Sequence, residues 1–89
     1  MKINFFPGSI SAMPGVLTEI PRDEMFTALF RHLHCDWGDL SERNKQKNDR
    51  ALQRGERLIS AYHSSNGTMF LIITEADRSA TTILRPSEY

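Results

Sequence analysis

The sequence predicts an α+β fold in which two main helices precede a three-stranded antiparallel β-meander, with a fourth, N-terminal strand as an extension. Three observations carry this expectation. Apolar residues recur at helical spacing over residues 25–33. Asn66-Gly67 lies between two strand-like runs, a strong hairpin signal. Residues 69–73 (Met-Phe-Leu-Ile-Ile) are continuously apolar, as in a strand covered on both faces. At 89 residues the chain is expected to form a single domain, 1–89, with a thin core.

Residues 2–6 read as a short strand with Ile3 and Phe5 on one face, ended by Pro7-Gly8. After Pro14-Gly15, residues 16–20 read as one helical turn. The first main helix spans about 21–34. Pro21 suits its first turn, Asp23 and Glu24 complement its dipole, and Met25, Phe26, Leu29, Phe30 and Leu33 form one core-facing stripe. A connector over 35–40 contains Trp37. Asp39, with Glu42 three residues on, reads as a capping box that opens the second helix, and Gly55 ends that helix after Arg54. Leu40, Ala51 and Leu52 are its only apolar members, so it belongs on the surface, docked by a narrow strip.

Residues 57–63 alternate as a strand should. A two-residue loop at Asn66-Gly67 pairs His63 with Phe70, Ala61 with Ile72 and Ile59 with Thr74 on one face. It places Tyr62 with Leu71 and Ser60 with Ile73 on the other. Residues 75–79 turn the chain, 81–84 return it, and Pro86 stops the last strand. The central strand needs a second cover besides the first helix, from either the N-terminal segment or another chain. A protein partner or a homodimer is therefore expected.

Lys plus Arg number 11 and Asp plus Glu 11, for zero net charge. This argues against a general nucleic-acid or membrane binder, leaves room for a local basic stripe, and favours self-association. The single cysteine, Cys35, permits no intrachain disulfide and fits a reducing compartment. The first residues lack a signal-peptide apolar run, and no apolar run approaches the ~18 residues of a membrane span. The expected location is the cytoplasm. No phosphate-cradling Gly-rich loop, paired-carboxylate motif or Ser-His-Asp order is present. No cofactor, metal or catalytic residue is expected, and a non-enzymatic role is favoured.

Four groups of side chains carry chemistry. His32, His34 and Cys35 invite a metal reading, with His63 as a further ligand. In a helix, however, His32 and His34 lie roughly 200° apart, and an imidazolium at a helix end suits the dipole better. Arg43, Lys47, Arg50 and Arg54 fall at i, i+4, i+7 and i+11, stacking four cations within a sector of roughly 60°. Such a stripe fits an acidic protein face or a phosphate backbone, unless Glu42 and Asp49 satisfy it. Trp37 is either a plug over the core edge or an interface anchor. Asp77 and Arg78 lie in a polar turn that pairs internally or binds an anion. The candidate partner-binding set is therefore Trp37, Arg43, Lys47, Arg50, Arg54, Asp77 and Arg78.

Several segments together resemble a widespread family of small bacterial proteins associated with plasmids and phages. These are His32, residues 35–40 (Cys-Asp-Trp-Gly-Asp-Leu), Ser60-Ala61-Tyr62, residues 72–79 (Ile-Ile-Thr-Glu-Ala-Asp-Arg-Ser), Thr81-Thr82 and the final Pro86-Ser87-Glu88-Tyr89. Members carry labels such as "plasmid related protein" or type I restriction subunit. Cys35 departs from the usual Gly of that pattern, and Leu71 from a common Trp. The resemblance implies an accessory gene of mobile elements and carries over no catalytic role. The reading this supports is a protein-binding inhibitor of a host defence system such as CRISPR or restriction. The alternative is a small ribonuclease or toxin–antitoxin component resembling the RelE/barnase-like group. It would use Arg57, Tyr62, His63, Arg78 and Thr82, and nucleic acid is the corresponding partner of the basic stripe.

Overall fold

A computed structural model describes residues 3–89. The elements run β1 (Ser9–Ala12), α1 (Pro14–Glu19), α2 (Arg22–Leu33), α3 (Glu42–Arg54), β2 (Leu58–His63), β3 (Met69–Thr74) and β4 (Ala80–Leu84), with a closing 3₁₀ turn at Pro86–Glu88. The strands form one mixed sheet of order β1-β4-β3-β2. β2, β3 and β4 make the antiparallel meander, and β1 lies parallel to β4.

The fold is thus α+β, but its layout differs from helices followed by a three-stranded sheet. A strand precedes the helices, and a parallel edge is added to the meander. That strand is Ser9–Ala12, beyond Pro7-Gly8, whereas residues 3–6 are not a strand and Lys2 lies outside the described residues. Gly8 explains the placement. Its φ of +68° turns the chain, and its bare α-carbon sits against the Ser79 backbone where a Cβ would overlap.

The hairpin corrects the expected register by one residue. His63 pairs with Met69, Tyr62 with Phe70, Ser60 with Ile72 and Leu58 with Thr74. The loop holds three residues. Gly67 N–H donates to the Ser64 carbonyl at 2.9 Å, Ser64 N–H donates to the Thr68 carbonyl, and Gly67 takes the left-handed conformation. Its tip is anchored: Ser65 N–H and Oγ donate to the Glu24 carboxylate, and the Asn66 amide donates to the Glu19 carbonyl. A one-residue shift exchanges the two faces of the sheet.

Tyr62, Phe70, Ile72 and Ile83 consequently share the face under the helices, packed with Val16, Ile20, Met25 and Ala28. A second cluster joins Trp37, Ala51 and Leu58, with Phe5, Leu40 and Leu52 at its margin. The C-terminal 3₁₀ turn packs against β3. That turn is tied down by Glu88, whose carboxylate accepts from the Gly15 and Arg85 N–H groups at 2.8 and 2.9 Å.

The helices also differ from expectation in detail. The α2 stripe is split: Met25 is buried, whereas Phe26 and Phe30 face solvent, and the inward positions are Met25, Ala28 and His32. α3 is capped by Ser41, whose Oγ accepts from Asn44 N–H at 3.2 Å, and not by Asp39. Gly55 ends α3 in the left-handed conformation at φ 69°. Among the described residues, no helix is long and apolar enough to cross a membrane.

Candidate functional site: a cationic groove beside the sheet edge

Among the described residues, α3 is hydrogen-bonded to the sheet through one side chain. Asn48, buried in a helix that is otherwise mostly polar, accepts from Ile59 N–H with its Oδ1 at 3.2 Å and donates its amide to the Ile59 carbonyl. These two groups belong to the open edge of β2, so Asn48 completes the edge as a paired strand would. Next to it, the 37–39 segment also bonds to this edge. Asp39 N–H donates to the Ala61 carbonyl at 2.7 Å, and Gly38 bridges Ala61 in parallel. Asn48→Ala is expected to cost about 2 kcal/mol of stability by leaving the Ile59 N–H and C=O unpaired. Urea unfolding of the variant measures this, and a loss under 0.5 kcal/mol would contradict the edge-completing role.

Between α3 and the sheet lies an open groove of about 650 Å³. Leu40, Ala51 and Ile59 supply apolar lining, Asn44 and Asn48 neutral polar groups, and Lys47, Arg50, Arg54 and Arg57 positive charge against a single acid, Glu56. Three of the four stripe cations, Lys47, Arg50 and Arg54, therefore converge on one concavity, while Arg43 stays outside it. Among the described residues, none of these three is ion-paired. Asp49, one of the two acids expected to neutralise the stripe, instead accepts from Trp37 Nε1–H at 2.9 Å. Arg57 lies 5.3 Å from the Tyr89 ring centroid and 3.8 Å from the Glu75 carboxylate.

The remaining candidates are placed elsewhere. Trp37 is 3% exposed and closes the second core cluster, so its indole offers no free face. The Arg78 guanidinium donates to the carbonyls of Glu56, Glu75 and Ala76, at 2.7, 3.0 and 3.3 Å. It joins the β3–β4 turn to the segment entering β2. The Asp77 carboxylate accepts from Ser79 N–H at 3.0 Å, and the Ser79 hydroxyl first and this N–H second hold it below the usual carboxylate range. Neither residue lines the groove, although Arg78 holds the backbone of Glu56, which does.

Of the five ribonuclease candidates, Tyr62 and His63 do not converge with Arg57. Tyr62 is buried, and its hydroxyl donates to the Asp36 carbonyl at 2.7 Å. Burial pushes that phenol well above its ordinary value. His63 is exposed and bonded to Asp39 at 2.8 Å, at the opposite end of β2 from Arg57.

His32 is buried in a polar chain and is not an exposed helix-end imidazolium. Its Nδ1 lies 2.6 Å from Ser60 Oγ and its Nε2 2.9 Å from Thr74 Oγ1. Thr74 Oγ1 is 2.8 Å from Thr81 Oγ1, which donates to the Pro7 carbonyl at 2.7 Å. Because the carbonyl can only accept, the order of donors follows: Thr81 to Pro7, Thr74 to Thr81, and His32 Nε2–H to Thr74. Burial holds the ring's pKa down to about 4, so the neutral ring accepts from Ser60 at Nδ1. The ring is neutral, with its proton on Nε2. Phe5 and Trp37 meet it edge-on at 5.4 and 5.6 Å. His34 bonds to the Phe30 carbonyl at 2.7 Å and stacks on the Phe30 ring. Among the described residues, no three His, Cys, Asp or Glu side chains are grouped to hold a metal ion.

Comparison with protein-family models, curated proteins and solved structures finds no match to this chain. The groove is therefore read from its own chemistry. Helical spacing groups Lys47, Arg50 and Arg54, together with Arg43, which stays outside, but not Arg57. It missed Asn44, Asn48, Glu56 and Ile59, although an Asn followed three residues later by Ala51 in a polar helix marks the docking strip.

Proposed function

We propose that this chain is a non-enzymatic interaction protein that captures an acidic, amphipathic segment of a protein partner in the α3 groove. The carrying observation is the set of unpaired cations, Lys47, Arg50 and Arg54, beside Arg57 and the apolar Leu40, Ala51 and Ile59. A partner segment with apolar residues on one side and carboxylates on the other matches both linings at once. Zero net charge supports a protein over a nucleic acid, because no long-range positive field draws in a polyanion. Burial of Trp37 also removes a stacking surface for bases, and Glu56 opposes phosphate within the groove. In the setting implied by the resemblance, an accessory gene of plasmids and phages, the fitting role is an inhibitor that blocks a CRISPR or restriction protein by occupying an acidic face.

Fluorescence anisotropy tests the groove directly. The probes are a Glu/Leu amphipathic peptide, a Glu/Ser peptide of equal charge, and a short single-stranded oligonucleotide. The amphipathic peptide is expected to bind best. The combined Lys47→Glu, Arg50→Glu and Arg54→Glu variant should weaken it by about 100-fold, at roughly 1 kcal/mol per reversed contact. All three side chains are exposed, so the variant should keep its circular dichroism and melting temperature. Tighter binding of the oligonucleotide, or peptide affinity unchanged by the triple reversal, would overturn the reading.

A further inference from the structure

The hairpin tip combines a reactive dipeptide with a set of bonds that restrain it. In Asn66-Gly67 the side-chain amide is open to attack by the next backbone nitrogen, because glycine puts no side chain in the way. Both residues are exposed to water. In the fold, however, each group of that reaction is already engaged. Gly67 N–H donates to the Ser64 carbonyl at 2.9 Å. Asn66 Oδ1 accepts from Thr68 N–H at 3.1 Å and from the Ser64 hydroxyl, and its Nδ2 donates to the Glu19 carbonyl at 3.1 Å. The neighbouring Ser65 is gripped by the Glu24 carboxylate at 2.6 and 2.7 Å.

We infer that Asn66-Gly67 is a latent self-modification site, which deamidates once the tip leaves α1 and α2, and that the Glu24 clamp holds the reaction back. The only co-reactant is water. The Gly67 amide gives its proton to hydroxide, and its nitrogen attacks Asn66 Cγ. The Cγ–Nδ2 bond then breaks. Nδ2 departs as ammonia, taking a proton from water and restoring the hydroxide, and a succinimide ring remains. A second water opens that ring at either carbonyl. Breaking the new N–Cγ bond yields aspartate. Breaking the bond from nitrogen to the main-chain carbonyl carbon yields isoaspartate, in which the backbone runs through the former side chain. In the clamped loop the geometry opposes the first step. The electron pair left on the Gly67 nitrogen lies where its hydrogen was, along the line to the Ser64 carbonyl and not toward Cγ. The leaving nitrogen is also tethered, to Glu19.

The product cannot return to the clamp. A carboxylate at position 66 has no hydrogen to give the Glu19 carbonyl, which belongs to the last turn of α1, where negative charge is unfavourable. It also adjoins Ser65, which already holds the Glu24 carboxylate, so two anions share one tip. Conversion is therefore one-way and loosens the hairpin from both helices. The Ser65 hydroxyl and N–H hold Glu24 below its ordinary value, so the clamp stays charged at the alkaline pH that favours amide deprotonation. The loop lines no part of the α3 groove, and the inference stands independently of the acidic-partner reading.

Mass spectrometry of the whole chain, aged at mildly alkaline pH and then digested, tests the site. In the tryptic fragment 58–78 Asn66 is the only side-chain amide, so any amide-to-acid mass gain there belongs to it. The folded wild type is expected to convert at least about tenfold more slowly than the same chain unfolded in urea. Glu24→Ala should speed the folded chain by about tenfold, through loss of both Ser65 bonds. Gly38→Ala lowers stability without touching any of these bonds, and its rate should stay near the wild type's. Asn66→Asp imitates one product and should lower the melting temperature by about 4–8 °C. Equal rates for the folded and unfolded wild type overturn the inference. So does a Glu24→Ala rate that matches the wild type or is equalled by Gly38→Ala, the second because global unfolding would then be the route. A melting temperature unchanged by Asn66→Asp overturns the one-way release.

Discussion

Lowering the pH from 6.5 to about 4 is expected to remove about 3 kcal/mol of folding stability through His32 alone. Burial first, and the positive charge of Arg78 second, hold the folded imidazole down to about 4 from an ordinary 6.5. Between those two values the unfolded chain carries a proton on this ring and the folded chain does not. Stability therefore rises with pH across the window and is complete above 6.5. It falls by up to about 1.4 kcal/mol per pH unit as acid is added.

The carboxylates act lower. Glu24, Asp36, Asp77 and Glu88 are held below their ordinary values by hydrogen bonds. Their contribution is therefore lost only as pH falls past those values, 4.5 for Glu and 3.8 for Asp. Urea unfolding at a series of pH values, with Trp37 fluorescence as the signal, separates the two. His32→Gln should flatten the slope between pH 6.5 and 5. His32→Leu should do the same and also cost about 2–3 kcal/mol at pH 7, because Ser60 and Thr74 lose their partner. If His32→Gln keeps the wild-type slope, another group is responsible for it.

Replacing Gly38 with Ala is expected to cost about 3 kcal/mol or more, lowering the melting temperature by about 12–24 °C for a domain of this size. Two effects combine. At φ +74° an L-residue is strained, and an added Cβ would overlap the Ala61 carbonyl oxygen and come within 2.7 Å of the Tyr62 ring. Neither obstacle can move cheaply. The Ala61 carbonyl accepts from Asp39 N–H, and Tyr62 is held between Phe70 and its bond to Asp36. Gly55→Ala is the control. Its φ of +69° is similar, but nothing lies within 4 Å, so only the conformational cost of about 1 kcal/mol applies. Equal melting temperatures for the two variants would show that the close approach at Gly38 does not matter.

Much of the architecture was legible from local signals. Gly55 as the α3 stop, the Asn66-Gly67 turn and the apolar β3 run each depend on residues within a few positions of one another. The α3 cation stripe was legible for the same reason, because helical spacing alone decides which side chains share a face. The α2 face was misread because Phe and Leu satisfy the same periodicity. Whether a Phe points to the sheet or to solvent depends on how the helix is rolled. The roll is set by His32, which enters the interior through Ser60 and Thr74, both far away in the chain.

By itself the sequence determined an α+β chain with a meander, a polar second main helix carrying a cationic stripe, and no net charge. These follow from composition and from contacts between near neighbours. Tertiary structure alone decided that β1 pairs in parallel with β4, and that Glu24 and the Glu19 carbonyl grip the tip of the hairpin loop. It also decided that Asn48 brings three of the four stripe cations against the β2 edge to make a groove. Each of these rests on hydrogen bonds between residues distant in sequence, whose energies no local pattern records.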